Sequence, residues 1–178
     1  TGSYAAVLEP LFGVARDTGL PLTFTLGLGN SGPRLYPEAL ALVEQFNAAG
    51  GRISAQLLPR PVGLLCGLEL SVNPFVLCPG YQPLARLELA ERVREMRRPE
   101  VRARLLAETP AEGHPLTALG RNWEWMFPMG EAPDYEPPRA SSILARAQAR
   151  GVTPAEEAYD RLLDDEGRSL MMVALGNF

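Results

Sequence analysis

Lysine is missing from this chain of 178 residues, and all 17 basic side chains are arginine. That absence removes a Walker-type phosphate lysine, a Schiff-base lysine and a lysine-derived metal bridge from the chemistry of the chain. Histidine occurs once, at His114, so this chain alone cannot assemble a multi-histidine metal site. The surrounding Glu112-Gly113-His114-Pro115 reads as a solvated polar turn, with a catalytic role as the alternative. Two cysteines, Cys66 and Cys78, lie twelve positions apart. They form no C-x-x-C pair, and a zinc site would need two more good ligands. Buried free thiols are the expectation, and they suit a reducing cytoplasm. No apolar run approaches the roughly 20 residues of a membrane span, and no signal-peptide pattern is present. A formal charge of −4 gives no electrostatic reason for a nucleic-acid partner.

What is present is a globular composition, 46% hydrophobic and 21% charged. A chain of this length is normally one domain, able to bury about 70% of its unfolded surface. It opens on Thr1-Gly2-Ser3 and closes just after the apolar run Leu170-Met171-Met172-Val173-Ala174-Leu175. The expectation is therefore an internal piece of a longer polypeptide.

Residues 4–18 carry apolar side chains at helical spacing up to Gly19, with Pro10 expected to kink or restart the helix. Leu22–Leu28 reads as a strand. Pro37–Ala49 reads as an amphipathic helix that turns Leu40, Val43 and Phe46–Asn47 inward and stops at Gly50-Gly51. Arg52–Pro59 is the next strand, with Ile53, Ala55 and Leu57 alternating against Ser54 and Gln56. Helix–strand–helix–strand with short turns predicts parallel α/β architecture. Residues 59–83, rich in Pro and Gly, read as irregular loops and short helices. Residues 84–108 read as charged helices interrupted at Arg98-Pro99, with Glu88–Arg92 and Glu100–Arg104 spaced for surface ion pairs. Trp123, Trp125 and Phe127 alternate as on a strand with one heavy apolar face, either packed in the core or lining a pocket. Two helices follow over 141–150 and 154–163, the second started by Thr153-Pro154-Ala155-Glu156, and a last strand follows Gly167-Arg168.

Gly27-Leu28-Gly29-Asn30-Ser31-Gly32 has the spacing of a dinucleotide fingerprint. Its context weighs against that reading: Pro33 removes an amide donor where a phosphate needs one. The next strand ends Gln56-Leu57-Leu58-Pro59-Arg60, without the acid that would hold a ribose. A nucleotide-binding α/β module stays as an alternative.

The stretch Arg97–Glu108 resembles the helical insertion of the N-acyl-D-amino-acid deacylases (D-aminoacylases) of the amidohydrolase superfamily. Pro133–Pro137, Ser142-Ile143, Ala149–Glu156 and Ala158–Leu163 resemble their later segments, and Gly50–Pro61 with Pro74-Phe75 and Pro79-Gly80-Tyr81 their earlier ones. The resemblance implies part of a (β/α)8 TIM barrel with a helical insertion. Residues 1–65 would supply barrel strand–helix units, 66–130 the insertion, and 131–178 helices returning to a barrel strand. It implies zinc-dependent hydrolysis of the amide bond of N-acyl amino acids by the complete protein, with the other metal ligands and the catalytic Asp outside residues 1–178. The remaining barrel segments of the same polypeptide would be the partners. Leu26 falls where the relatives carry a metal-binding histidine, so that ligand position is vacated, and no metal is bound by this chain alone. Barrel geometry places Leu26, Gln56 and Arg60 toward the active site, with Gln56 and Arg60 as substrate-binding residues and Arg60 matching a carboxylate. A non-catalytic barrel relative acting as a binding protein is the other reading.

Overall fold

The computed structural model of the chain describes residues 4–27, 35–58, 60–110 and 113–178. Two compact units divide it, one of residues 1–62 with 175–178 and one of residues 63–174.

In the first unit, α1 (Tyr4–Thr18) runs through Pro10 as one helix and ends where Gly19 takes a positive φ of 66°. The strand that follows, β1 (Leu22–Thr25), is shorter than the sequence suggested. Next come α2 (Leu35–Ala48) and β2 (Ile53–Gln56). The strands are parallel in the register Leu22↔Ile53 to Thr25↔Gln56, with α2 as the crossover that a parallel pair requires. Leu8, Phe12, Ala15, Leu26, Ala39, Val43 and Ile53 make its core, and Phe12 stacks on Phe46 at 4.6 Å. Asn47 closes the α2–β2 turn: its amide donates to Ile53 O and its carbonyl accepts from Ile53 N, both at 2.8 Å. The side chain thus stands in for a strand partner at the start of β2.

The second unit begins with β3 (Val62–Cys66), a strand hidden in the sequence by Pro59, Pro61, Gly63 and Gly67. Gly63 is there for contact, since a Cβ at that position would lie 2.8 Å from Met172 Cγ. A loop with two single 3-10 turns leads to α3 (Leu89–Met96) and α4 (Pro99–Ala107). Then follow α5 (Pro115–Gly120), β4 (Met126–Met129), α6 (Ile143–Arg150), α7 (Pro154–Leu162) and β5 (Leu170–Gly176). The sheet order is β3-β5-β4, and β4 and β5 are antiparallel, Met126↔Val173 to Met129↔Leu170. Central β5 buries Met171, Met172, Val173 and Ala174, which is why it reads as a continuous apolar run. Pro128 is tolerated because β4 is an edge strand.

This architecture corrects the expected barrel segment. Among the described residues the strands form one two-stranded and one three-stranded sheet, neither closed. The antiparallel β4–β5 pair has no place in an all-parallel (β/α)8 barrel. The helix–strand alternation of residues 4–56 is real but local to the first unit. Other expectations also move. Trp123 and Trp125 precede β4 rather than lying on it. Glu100 pairs with Arg98 instead of Arg104, and Arg92 turns away from Glu88 to main-chain carbonyls.

α6 and α7 pack as neighbours joined by Gly151, whose φ of 68° caps α6. Thr153 and Glu156 form a complete capping box at the start of α7. Phe75 meets Tyr159 edge-on at 5.2 Å, and the Tyr159 hydroxyl donates to Met96 O at 2.7 Å, tying α7 to α3.

Candidate functional site

The residues expected at barrel strand ends do come together in part. Leu26 N donates to Gln56 O at 2.9 Å, so the two residues sit side by side where β1 and β2 end. Leu26 itself is fully buried in the first unit's core, while Gln56 and Arg60 are exposed. A leucine offers no lone pair, and a guanidinium at Arg60 repels a cation. Among the described residues there is no group of three His, Cys, Asp or Glu that could hold a metal ion. The zinc implied by the family resemblance therefore does not fit this set of side chains, and no step is derived through it. The glycine loop of the nucleotide reading, from Leu28 onward, lies outside the described residues.

Other reactive groups are occupied by structure. His114 Nδ1 accepts from Leu116 N at 3.2 Å and so caps α5. Both thiols are buried and free. Burial pushes Cys66 up to about 11. It also raises Cys78 against the opposing charge of Arg121. Neither is a thiolate at neutral pH, so neither is a ready nucleophile.

A better-built site lies in the second unit, in the loop between β3 and α3. Asn73 precedes Pro74 and makes an Asx turn there, its Oδ1 accepting from Phe75 N at 2.9 Å. Its amide Nδ2 donates to the hydroxyl of Tyr81 at 3.1 Å. Both side chains are buried, Tyr81 1% and Asn73 2% exposed. The Arg92 guanidinium, carried on α3, organises the rest. Its Nε donates to Leu84 O at 3.0 Å, Nη2 to Ala85 O and Leu87 O at 2.9 Å each, and Nη1 to Leu68 O. These four bonds stitch both walls of the loop to the helix.

Arg92 is thus well supplied with hydrogen-bond acceptors but not with charge: it makes no ion pair among the described residues. Four of its five N–H groups go to those carbonyls, and the fifth is taken by the bond to the Tyr81 phenol. Burial pushes the ionisation of the Tyr81 phenol to higher pH, opposed by the nearby Arg92 charge and by the bonds from Asn73 and Arg92. The phenol is therefore a neutral donor at physiological pH. Around these groups is a recess of about 320 Å³ lined also by Ser71, Val76, Leu70 and, at its mouth, the exposed Glu69. That volume falls at the small end of ligand pockets.

A larger cleft of about 600 Å³ lies on the other side of Glu69, floored by Leu89, Ala90 and Val93. Its charged walls largely neutralise themselves: Arg97 grips Glu166 with two bonds of 3.1 and 3.2 Å, and Arg94 pairs with Glu91. Those side chains are half exposed or more, so water competes for them and each pair contributes little. The recess, with fixed and buried polar atoms, is the stronger site despite being smaller.

Sequence reasoning missed it. Tyr81 lay in a stretch read as irregular and otherwise only as part of the family resemblance, and Arg92 looked like half of a surface ion pair. The one local signal was Asn73-Pro74, a turn-initiating dipeptide.

No family model matches the chain, and neither a curated protein nor a solved structure matches it. The resemblance to the D-aminoacylases thus finds no match, and the open sheets and the lack of a metal cluster among the described residues overturn the barrel, the zinc and the amidohydrolase activity it implied.

Proposed function

We propose that the protein binds a small oxyanion, a carboxylate or a phosphate, in the recess between Tyr81 and Arg92. The observation that carries this reading is a buried phenol whose proton has no acceptor among the described residues, beside a guanidinium that has no carboxylate partner among them. An oxyanion satisfies both at once. It accepts the phenol proton and supplies the negative charge that the guanidinium lacks. Leu70 and Val76 add apolar wall to the recess. The activity this arrangement supports is binding.

The test is a titration of the chain with sodium acetate and, separately, inorganic phosphate at constant ionic strength, following the amide resonances of Ser71, Asn73 and Tyr81. Saturable shifts are expected with a dissociation constant of about 1 mM, reasonable for a ligand of very few heavy atoms. Tyr81→Phe keeps the ring and removes the donor. A hydrogen bond to a charged group contributes about 1.5–3 kcal/mol, so affinity should fall at least about tenfold. Shifts that do not saturate, or equal binding by the Phe variant, would refute the reading. The acetate and phosphate arms decide which oxyanion the recess prefers.

A further inference from the structure

We infer that Asn73 fixes the polarity of this recess: it holds Tyr81 as a proton donor, so the site takes acceptors and refuses cations of the same size. The inference rests on the oxyanion reading and adds the residue that sets its selectivity.

Phe75 N is a main-chain amide and can only donate, and its partner 2.9 Å away is Asn73 Oδ1. That bond settles the orientation of the Asn73 amide, which a side chain of two similar ends otherwise leaves open. The Nδ2 end is then forced to face Tyr81, 3.1 Å from its oxygen. Nδ2 can only donate, so the phenol oxygen must accept. Arg92, the other polar group facing the phenol, is also donor-only. With donors on both sides, the Tyr81 proton has one direction left, into the recess.

A chain of three hydrogen-bonding groups therefore transmits the polarity of a backbone amide to the ligand position. Asn73 is nearly fully buried, so water cannot relax the arrangement. Asn73 is a positioning residue, since it touches the ligand only through Tyr81. Glu69, at the mouth, favours cations and works against this selectivity, which makes the comparison below a strict one.

The first experiment uses the unmodified chain. Acetate and methylammonium, ions of similar size, are titrated while the Tyr81 and Ser71 amides are followed. Saturable shifts with acetate and none with methylammonium are expected, and methylammonium binding as tightly as acetate overturns the inference. The second uses Asn73→Asp, whose carboxylate still accepts from Phe75 N but now also accepts the Tyr81 proton. Acetate affinity should fall at least tenfold. Dimethyl sulfoxide, a neutral acceptor that charge repulsion leaves untouched, should lose its binding as well. If the Asp variant loses acetate but keeps dimethyl sulfoxide, only charge was changed and the inference fails. If the variant does not fold, the unmodified chain decides. Absence of acetate and phosphate binding in the unmodified chain sinks the oxyanion reading itself, whereas acetate binding undiminished in the Asp variant sinks only the role of Asn73.

Discussion

Glu157→Gln is the substitution with the largest consequence expected from a single polar side chain in this fold. Glu157 is fully buried on α7, and three guanidiniums converge on it. Arg146 Nε is 3.0 Å from Oε1, Arg161 Nε is 3.4 Å away, and Arg150 bonds Oε2. Glutamine keeps the shape and one acceptor but removes the charge that holds the three cations together. A surface pair lost this way costs about 0.2–1 kcal/mol, and one fully buried about 3–5 kcal/mol. Here the anion is buried, but the arginines are 28% to 44% exposed and can turn toward water once released. The expected cost lies between, about 2–3 kcal/mol, which for a chain of this size lowers Tm by about 4–12 °C.

The pH dependence has a definite sign. Burial alone would push the Glu157 carboxyl above the usual carboxylate value, but the bonds from Arg150 and Arg146 and the charges of Arg150 and Arg161 outweigh it and hold it below that value. A lowered folded value means stability that is complete above the unfolded-state value and is lost as pH falls through the folded one. The difference between wild type and Glu157→Gln should therefore be full at pH 7 and shrink steadily below the ordinary glutamate range. Thermal melts by circular dichroism from pH 7 down to acid, with amide exchange of α6 and α7 as a local check, provide the measurement. A glutamine variant that melts with wild type at pH 7, or a gap that widens in acid, would refute the reasoning.

Two further substitutions test the local structure. Gly167→Ala should destabilise by about 1–3 kcal/mol, because Gly167 has a φ of 83° and a Cβ there would lie 2.5 Å from Val93 Cγ2. Chemical denaturation reads the loss, and an unchanged midpoint would mean that the turn from Asp164 to Gly167 yields freely. Thr153→Ala removes the capping box of α7 and should cost about 0.5–2 kcal/mol by the same measurement. A neutral result there would mean that packing against α6 alone sets the start of the helix.

Part of this fold is written locally and can be read without coordinates. Thr153-Pro154-Ala155-Glu156 starts a helix because its cap and its first turn need only each other. The apolar run from Leu170 is a buried strand because seven consecutive residues without a polar face fit only the middle of a sheet. The burial of both cysteines followed from their lack of partners. The α1–β1–α2–β2 order also followed from period and turn residues. Extending that order to a barrel failed because a sheet is closed by pairings between distant residues, and local alternation says nothing about which strand meets which. β3 was lost because the glycine and prolines that mark a loop also mark close approach to another strand, as at Gly63.

The candidate site belongs to the same division. The sequence determined that no lysine or histidine cluster does chemistry here and that Arg92 rides on a helix, while the turn at Asn73-Pro74 went unread. Helical spacing offered Arg92 a glutamate four residues away, worth a few tenths of a kilocalorie. Only the tertiary structure offered it four carbonyls from residues 68, 84, 85 and 87. Those bonds won because the folded loop holds four carbonyls around the guanidinium, whereas Glu88 is exposed and water competes for its carboxylate.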